Sequence, residues 1–212
     1  MINLSIKNVT IACIDDVNTE SSFELLSDIS ELISFGDLVL ISSKPQFSQT
    51  RNMVKIRNLE EYNKFILFDL HKYIKTEFCM IVQTDGYPIN LEAWRNEFLN
   101  YDYIGAPWSN GLVGNGGFSI RSKRLMGLVA ENVNYDEALK KHNSNGQIFD
   151  FAPEDVVICN FYREQMESFG IKYAPLDLAS SFSVENKSYS GQFGFHGKET
   201  FKKNFKNAKA YF

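Results

Sequence analysis

The chain has 212 residues, enough for one large core. Its 44% hydrophobic and 23% charged residues are those of an ordinary globular protein, and 18 Phe, 10 Tyr and 2 Trp favour a filled interior with ring-lined pockets. A formal net charge of −4 excludes the broad basic surface that sequence-independent nucleic-acid binding needs, so no nucleic-acid partner is expected.

Val9 to Ile14 is a short apolar run that reads as a buried strand, followed by the polar loop Asp15-Asp16-Val17-Asn18. Ser21 and Glu24 have capping-box spacing, Leu25, Leu26, Ile29, Leu32 and Ile33 recur at helical period, and Gly36 stands where a helix would close. Leu38 to Ile41 is a second buried strand. The opening therefore reads β-α-β, which implies an α/β fold with a mostly parallel central sheet flanked by helices. Asn58 and Glu61 repeat the capping-box spacing before a helix carrying Tyr62, Phe65, Ile66, Asp69 and Tyr73.

Phe78 to Val82 is a third buried strand and runs directly into Gln83-Thr84-Asp85-Gly86. Asn90 to Leu99 reads as a short helix with Trp94 and Phe98 on one side. Residues 105 to 117 hold five glycines and a proline in thirteen positions, the composition of a sharply turning loop or one that a ligand approaches closely. Phe118 to Ile120 follows as a strand, and Ser122 as the N-cap of a helix through Ala130. Residues 132 to 150 are polar and read as an irregular excursion. Pro153 suits the first turn of a helix to Phe169, closed by Gly170. The tail carries Gly191 to Gly197 and then the basic run Lys198 to Lys209, a solvated helix face or a membrane-surface or phosphate contact. With no repeat, linker or composition break, a single domain over residues 1–212 is expected.

Cys13, Cys79 and Cys159 are far apart and lack C-x-x-C spacing, so buried reduced thiols are expected. Met1-Ile2-Asn3-Leu4 opens no basic-then-apolar leader, and no apolar run approaches the roughly 18 residues of a membrane span. A cytoplasmic protein follows as the expectation, at most peripheral at the inner membrane face.

Among residues able to carry chemistry, Asp85 is the sharpest. Strand-end carboxylates often only form turns, but this one stands where open α/β sheets bind ligands, and Gly86 beside it allows close approach. Its oxygens suit Mg²⁺ or Mn²⁺. Glu154 and Asp155 lie at a helix start, where the macrodipole favours acids; the functional alternative is a general base acting on an acceptor hydroxyl. His196 lies between Gly194-Phe195 and Gly197 and is a structural residue or a metal ligand. His71, within a helix, and His142, in the polar excursion, have no comparable setting. Trp108 plugs a sheet edge or stacks on a sugar ring. Asn115, Gly116 and Gly117 offer an amide and two unobstructed backbone groups to hydroxyls or phosphates. The string matches neither a dinucleotide fingerprint nor a P-loop.

Taken in order, VQTDGYPINLEAWRNEFLNYDYIGAPW, VGNGGFSIRSKRL, PEDVVIC and FGFHG resemble a bacterial and viral family of glycosyltransferase-like proteins. That family is catalogued as a domain of unknown function and related to GT-A galactosyl- and N-acetylglucosaminyltransferases. The resemblance covers nearly the whole chain, the opening and FGDLVLISSKP included. It implies a single GT-A domain whose Asp85 is the last acid of a D-x-D-type motif and binds the metal on a donor diphosphate. Gln83 stands where many relatives have the first acid. Gly116 and Gly117 resemble the glycine pair near the donor sugar, and Trp108 an aromatic in the preceding loop. Glu154-Asp155 resembles the acid pair of inverting galactosyltransferases, with Asp155 favoured as base. His196 resembles the late histidine completing the metal site, and Asp15 and Asp16 would face the nucleotide base.

The expectation is an inverting, Mn²⁺- or Mg²⁺-dependent transferase moving a sugar from a nucleotide sugar, UDP-linked, to a hydroxyl of a glycan or other acceptor, in surface polysaccharide or glycan synthesis. The alternative is a non-catalytic nucleotide-sugar or sugar-binding module on the same fold. A nucleotidyltransferase would need a basic triphosphate-binding loop, and none is evident near the N-terminus.

Overall fold

The computed structural model describes residues 4–44, 50–51, 55–146, 148–205 and 207–212, without the side chains of residues 50, 51 and 145. Pro45 of the opening block and Lys206 of the basic run lie outside the described residues. The chain opens with β1 (Leu4–Ile14), α1 (Thr19–Leu32) and β2 (Ile33–Ile41). It continues through β3 (Thr50–Arg51), α2 (Leu59–Phe68), β4 (Phe78–Val82), β5 (Gly86–Pro88), β6 (Tyr103–Ile104) and β7 (Phe118–Ser122). Then come α3 (Lys123–Asn132), α4 (Tyr135–His142), α5 (Glu154–Val156), α6 (Arg163–Ser168), α7 (Leu176–Phe182), β8 (Ser183–Val184), β9 (Gly194–His196) and α8 (Lys198–Asn204).

Among the described residues the main sheet has six strands, ordered β3-β2-β1-β4-β7-β6, and a second sheet runs β5-β9-β8. The fold is α/β as expected, but the sheet is mixed rather than mostly parallel. β1 pairs in parallel with β2 and β4, and β2 with β3, whereas β7 is antiparallel to both β4 and β6. The reversal matters for the site. Because Val82 pairs with Phe118, the loop that precedes β7 is delivered to the carboxyl end of β4.

The continuous apolar runs of β1 and β4 are explained by burial on both faces. Ile11, Cys13, Met80 and Val82 pack on one side with Leu25, Leu26 and Ile29 of α1, while Ala12, Ile14, Cys79 and Ile81 pack on the other with Phe65 and Ile66 of α2. The first core continues into the rings of Phe98, Phe118, Phe182 and Phe193, with Phe118 stacked on Phe182 at 5.2 Å. All three cysteines are free and buried, and desolvation pushes the Cys13 and Cys79 thiols up to about 12.

Several local expectations change. Helix α1 starts at Thr19, so Ser21 is inside it; the preceding loop is held instead by Asp15, whose Oδ1 accepts from the backbone N–H of Val17 and Asn18. Gly36 lies within β2, facing a register shift between Ile6 and Thr10 of β1. A Cβ there would stand 2.0 Å from the Lys7 carbonyl oxygen, so close backbone approach, not a helix end, requires the glycine. Residues 132 to 150 are not wholly irregular, since Asn134 caps α4 through the backbone N–H of Asp136 and Glu137. The helix expected from Pro153 to Phe169 is α5, a π-helical turn over Val157–Phe161 and α6, interrupted at Tyr162 (φ −111°). Asn90 to Leu99 is a pair of 3₁₀ turns, with Trp94 and Phe98 in edge contact as the spacing implied. The Asn58 cap of α2 and the Ser122 cap of α3 form as expected. No helix among the described residues is long and apolar enough to cross a membrane.

Two glycines separate packing from propensity. Gly36→Ala should destabilise the protein by about 1–3 kcal/mol through overpacking. Gly127→Ala, in α3 with nothing within 4 Å of the new methyl, should stabilise it by about 0.5–1 kcal/mol. Urea unfolding midpoints of the two variants check both signs.

Candidate functional site

A cavity of about 210 Å³ opens at the carboxyl end of β4, lined by Tyr62, Asn63, Gln83, Asn115, Gly116, Gly117, Glu154, Asp155, Glu185 and His196, among others. A second hollow of about 250 Å³ borders it, sharing Leu59 and Tyr62 and reaching the loop of Asp15 and Asp16. A larger concavity, about 1170 Å³, is an open groove at the other end of the strands, lined by residues 5–8 and 75–78 among others. Ligands of open α/β sheets bind at the carboxyl ends, and the candidate residues lie there, so the smaller cavity is the site of interest.

One wall is built on the pairing of β5 with β9, which sets His196 opposite Gly86. His196 Nε2 lies 3.0 Å from Gln83 Oε1 and 3.3 Å from Asp85 Oδ1, and Nδ1 lies 3.1 Å from Glu185 Oε1. Every neighbour is an acceptor, so both ring nitrogens donate and the ring is an imidazolium. Burial opposes that charge, but the hydrogen bonds and charges of Asp85 and Glu185 outweigh it and raise the His196 pKa to about 9. Burial would likewise raise the Asp85 carboxyl, yet His196 holds it below the ordinary carboxylate range. Gln83, standing in the first acid's place, donates its Nε2 to the Tyr62 hydroxyl at 2.6 Å, joining this wall to α2.

The opposite wall begins with Arg121, a fully buried cation on β7. Its guanidinium grips Glu154 with two contacts, Nη1–Oε2 at 2.6 Å and Nη2–Oε1 at 2.8 Å, and lies over the Tyr103 ring. Burial pushes the Glu154 carboxyl up and the guanidinium opposes it; paired short contacts of this kind are those of an ionised pair. Both Glu154 oxygens are therefore occupied. Its backbone N–H donates to Asn63 Oδ1 at 2.7 Å, which sets the start of α5 against α2. Asp155 is turned the other way: its Oδ2 accepts from the Gly116 N–H at 3.1 Å and its Oδ1 from the Val156 N–H at 2.8 Å.

The glycines between these walls serve the protein's own side chains. A Cβ on Gly116 would stand 1.8 Å from Glu154 Oε1, one on Gly117 2.0 Å from His196 Nε2, and one on Gly114 2.1 Å from the Trp108 ring. The Gly117 carbonyl accepts from Gln83 N–H, the Gly116 N–H is held by Asp155 and the Gly116 carbonyl accepts from Ser119 Oγ, so these backbone groups are already partnered. Asn115 between them has φ +64° and is 3% exposed. Neither atom of its side-chain amide has a hydrogen-bond partner among the described residues, a state that costs about 1–3 kcal/mol for a buried polar group.

Other candidates are placed differently. The carboxylate of Asp16 accepts from Ser42, from Ser43 and from the Ile56 N–H, and that of Asp15 from Ser22 and its own loop; both residues line the second hollow. Trp108 packs on Gly114 and is not among the residues lining the main cavity. Asn63, Arg121 and Glu185 are additions that sequence reasoning missed. Of these only Arg121 left a signal, as a lone charge inside the buried strand Phe118–Ser122.

Asp85 Oδ1 and His196 Nε2 lie 3.3 Å apart, wider than the roughly 2.8–3.0 Å between neighbouring ligands of an octahedral ion with bonds of roughly 2.0–2.1 Å, so a small side-chain shift would let both reach one ion. No group of three or more His, Cys, Asp or Glu side chains arranged to hold a metal occurs among the described residues. The pair therefore fits an ion completed by a ligand's phosphates, with loss of the Nε2 proton, and not a self-sufficient metal centre.

The model of a family described as "Protein of unknown function (DUF5672)" matches residues 45–196. The match takes in Gln83, Asp85, Asn115, Glu154, Asp155 and His196 and leaves Asp15 and Asp16 outside. No curated protein matches the chain.

Two measurements probe the walls. Glu154→Gln should cost roughly 3–5 kcal/mol of stability by stranding a buried guanidinium, whereas replacing Arg121 and Glu154 together by Met and Leu should recover most of it. Because the folded pKa of His196 is raised from 6.5 to about 9, its stabilising contribution is present below 6.5 and lost as pH rises through 9. In metal-free buffer, the stability gap between wild type and His196→Gln should close over that window. A gap constant to pH 10 would contradict a charged His196 held between Asp85 and Glu185.

Proposed function

The chain belongs to the DUF5672 family, whose description assigns no activity, and we propose from its site that it is a GT-A glycosyltransferase moving a sugar from a nucleotide-diphosphate donor to a hydroxyl acceptor with inversion. The observation that carries this reading is the division of one strand-end cavity into two acidic walls. His196 and Glu185 line one side, with Asp85 against His196 behind the lining, and Asp155, free of the Arg121 pair, lines the other.

In this reading the acceptor oxygen bonds to the anomeric carbon as the bond to the diphosphate oxygen breaks, and Asp155 takes the acceptor proton. Asp155 is the base, and Glu154 is a positioning residue whose oxygens are spent on Arg121. The Gly116 N–H orients the Asp155 carboxylate toward the cavity. A divalent ion, Mn²⁺ or Mg²⁺, held by Asp85 and His196 would neutralise the charge growing on the departing diphosphate. The neighbouring hollow, bounded by Leu59, Tyr62, Ile56 and the Asp15-Asp16 loop, suits the base and ribose of UDP.

A binding module without turnover is the second reading, favoured by the engagement of both His196 nitrogens in internal contacts. A panel of nucleoside-diphosphate sugars with Mn²⁺ separates the two. The transferase should be stabilised by a UDP-sugar only with metal present, and should release UDP. Asp155→Asn should lower turnover by about 10²–10⁴-fold while leaving donor affinity within a few fold. Binding without UDP release, unchanged in Asp155→Asn, supports the module; neither binding nor release by any donor overturns both.

A further inference from the structure

Asn115 is the residue of the cavity whose chemistry its surroundings leave unexplained. It holds a left-handed backbone at φ +64°, which asparagine tolerates better than other residues with a Cβ but glycine better still. Its neighbours on both sides are glycines. The residue is 3% exposed, yet both Oδ1 and Nδ2 lack partners among the described residues, and it lines the cavity beside Gly117, Asp155 and His196. Buried amides in folded proteins are almost always satisfied, and conformations of this kind cluster at ligand sites.

What would satisfy it is restricted by the pair of orphaned atoms. A phosphate oxygen only accepts, so it would leave Oδ1 unanswered. A carboxylate has the same defect, and an ammonium only donates. A group that donates and accepts at once answers both: a sugar hydroxyl or two adjacent ones, or the imide edge of uracil, which the neighbouring hollow away from Asn115 would take. We propose that Asn115 is the specificity-determining residue for the transferred sugar, reading its hydroxyls through a paired donor and acceptor while the nucleotide is held elsewhere. This rests on the transferase reading of the cavity and adds to it the part of the donor that Asn115 distinguishes.

The test uses Asn115→Gly, which suits φ +64° and removes the amide without straining the loop, and Asn115→Asp, which keeps the shape and the acceptor but lacks the donor. Calorimetric titration with UDP, UDP-glucose, UDP-galactose and UDP-N-acetylglucosamine, each with Mn²⁺, gives affinities for the nucleotide with and without sugar. Wild type should bind its preferred UDP-sugar more tightly than UDP. Asn115→Gly should lose about tenfold or more of that difference while binding UDP unchanged, and should unfold no earlier than wild type. Asn115→Asp should lose a comparable part. If wild type shows the sugar preference and Asn115→Gly keeps it, the assignment of Asn115 is overturned and the transferase reading stands. If wild type binds UDP but no sugar nucleotide more tightly, Asn115 reads no sugar and the assignment likewise falls. If wild type binds neither UDP nor any UDP-sugar, both fall together.

Discussion

Arg121 carries a fully buried guanidinium, and the cavity is arranged around the way that charge is answered. A lone cation at the heart of a sheet would be expensive, so the fold must bring a carboxylate to it. Glu154 does so from the first turn of α5, and Gly116 must lack a Cβ for the carboxylate to fit. Once Glu154 is fixed, the next residue has little choice. Asp155 faces Gly116 and the cavity, and the Asn63 contact locks the same turn to α2. A residue pair that reads as two interchangeable acids thus has two different physical roles.

Two antiparallel returns complete the site. β7 comes back against β4 and delivers Asn115 to Gly117 beside Gln83; β9 comes back against β5 and delivers His196 beside Asp85. Residues separated by more than a hundred positions meet because each return begins or ends at the carboxyl edge of a central strand. A wholly parallel sheet would have carried the glycine loop to a crossover on the opposite edge. The mixed topology is therefore what assembles the two walls.

The burial of β1, β2 and β4 on both faces is legible in their unbroken apolar runs, and the caps at Asn58 and Ser122 follow from local hydrogen-bond chemistry. Asp85, Asp155 and His196 also stand out as candidates, although a strand-end acid, an acid at a helix start and a histidine beside glycines each have an ordinary structural use as well. What pattern reasoning misses are long-range constraints. Gly36 looks like a helix terminus until β1 is laid against it. The glycines at 114, 116 and 117 look like an open cradle, yet their hydrogens make room for Trp108, Glu154 and His196. Glu185 carries no local signal at all, since its importance lies wholly in a contact with His196 across the second sheet. Asp15 and Asp16 carry a structural role that the sequence did not show: their oxygens accept from nearby donors and hold the loop that borders the second hollow.

The central claim is that the Asp85–His196 wall holds the ion and diphosphate of a donor whose sugar points toward Asp155. Anomalous diffraction at the manganese edge, from crystals grown with UDP and Mn²⁺, tests it directly. A peak at bonding distance, roughly 2.0–2.3 Å, from both Asp85 and His196, with the diphosphate beside it, is the expected result. Nucleotide bound in the groove at the opposite end of the strands, or bound in the cavity with the His196 imidazolium still bridging Asp85 and Glu185 and no manganese there, would contradict it.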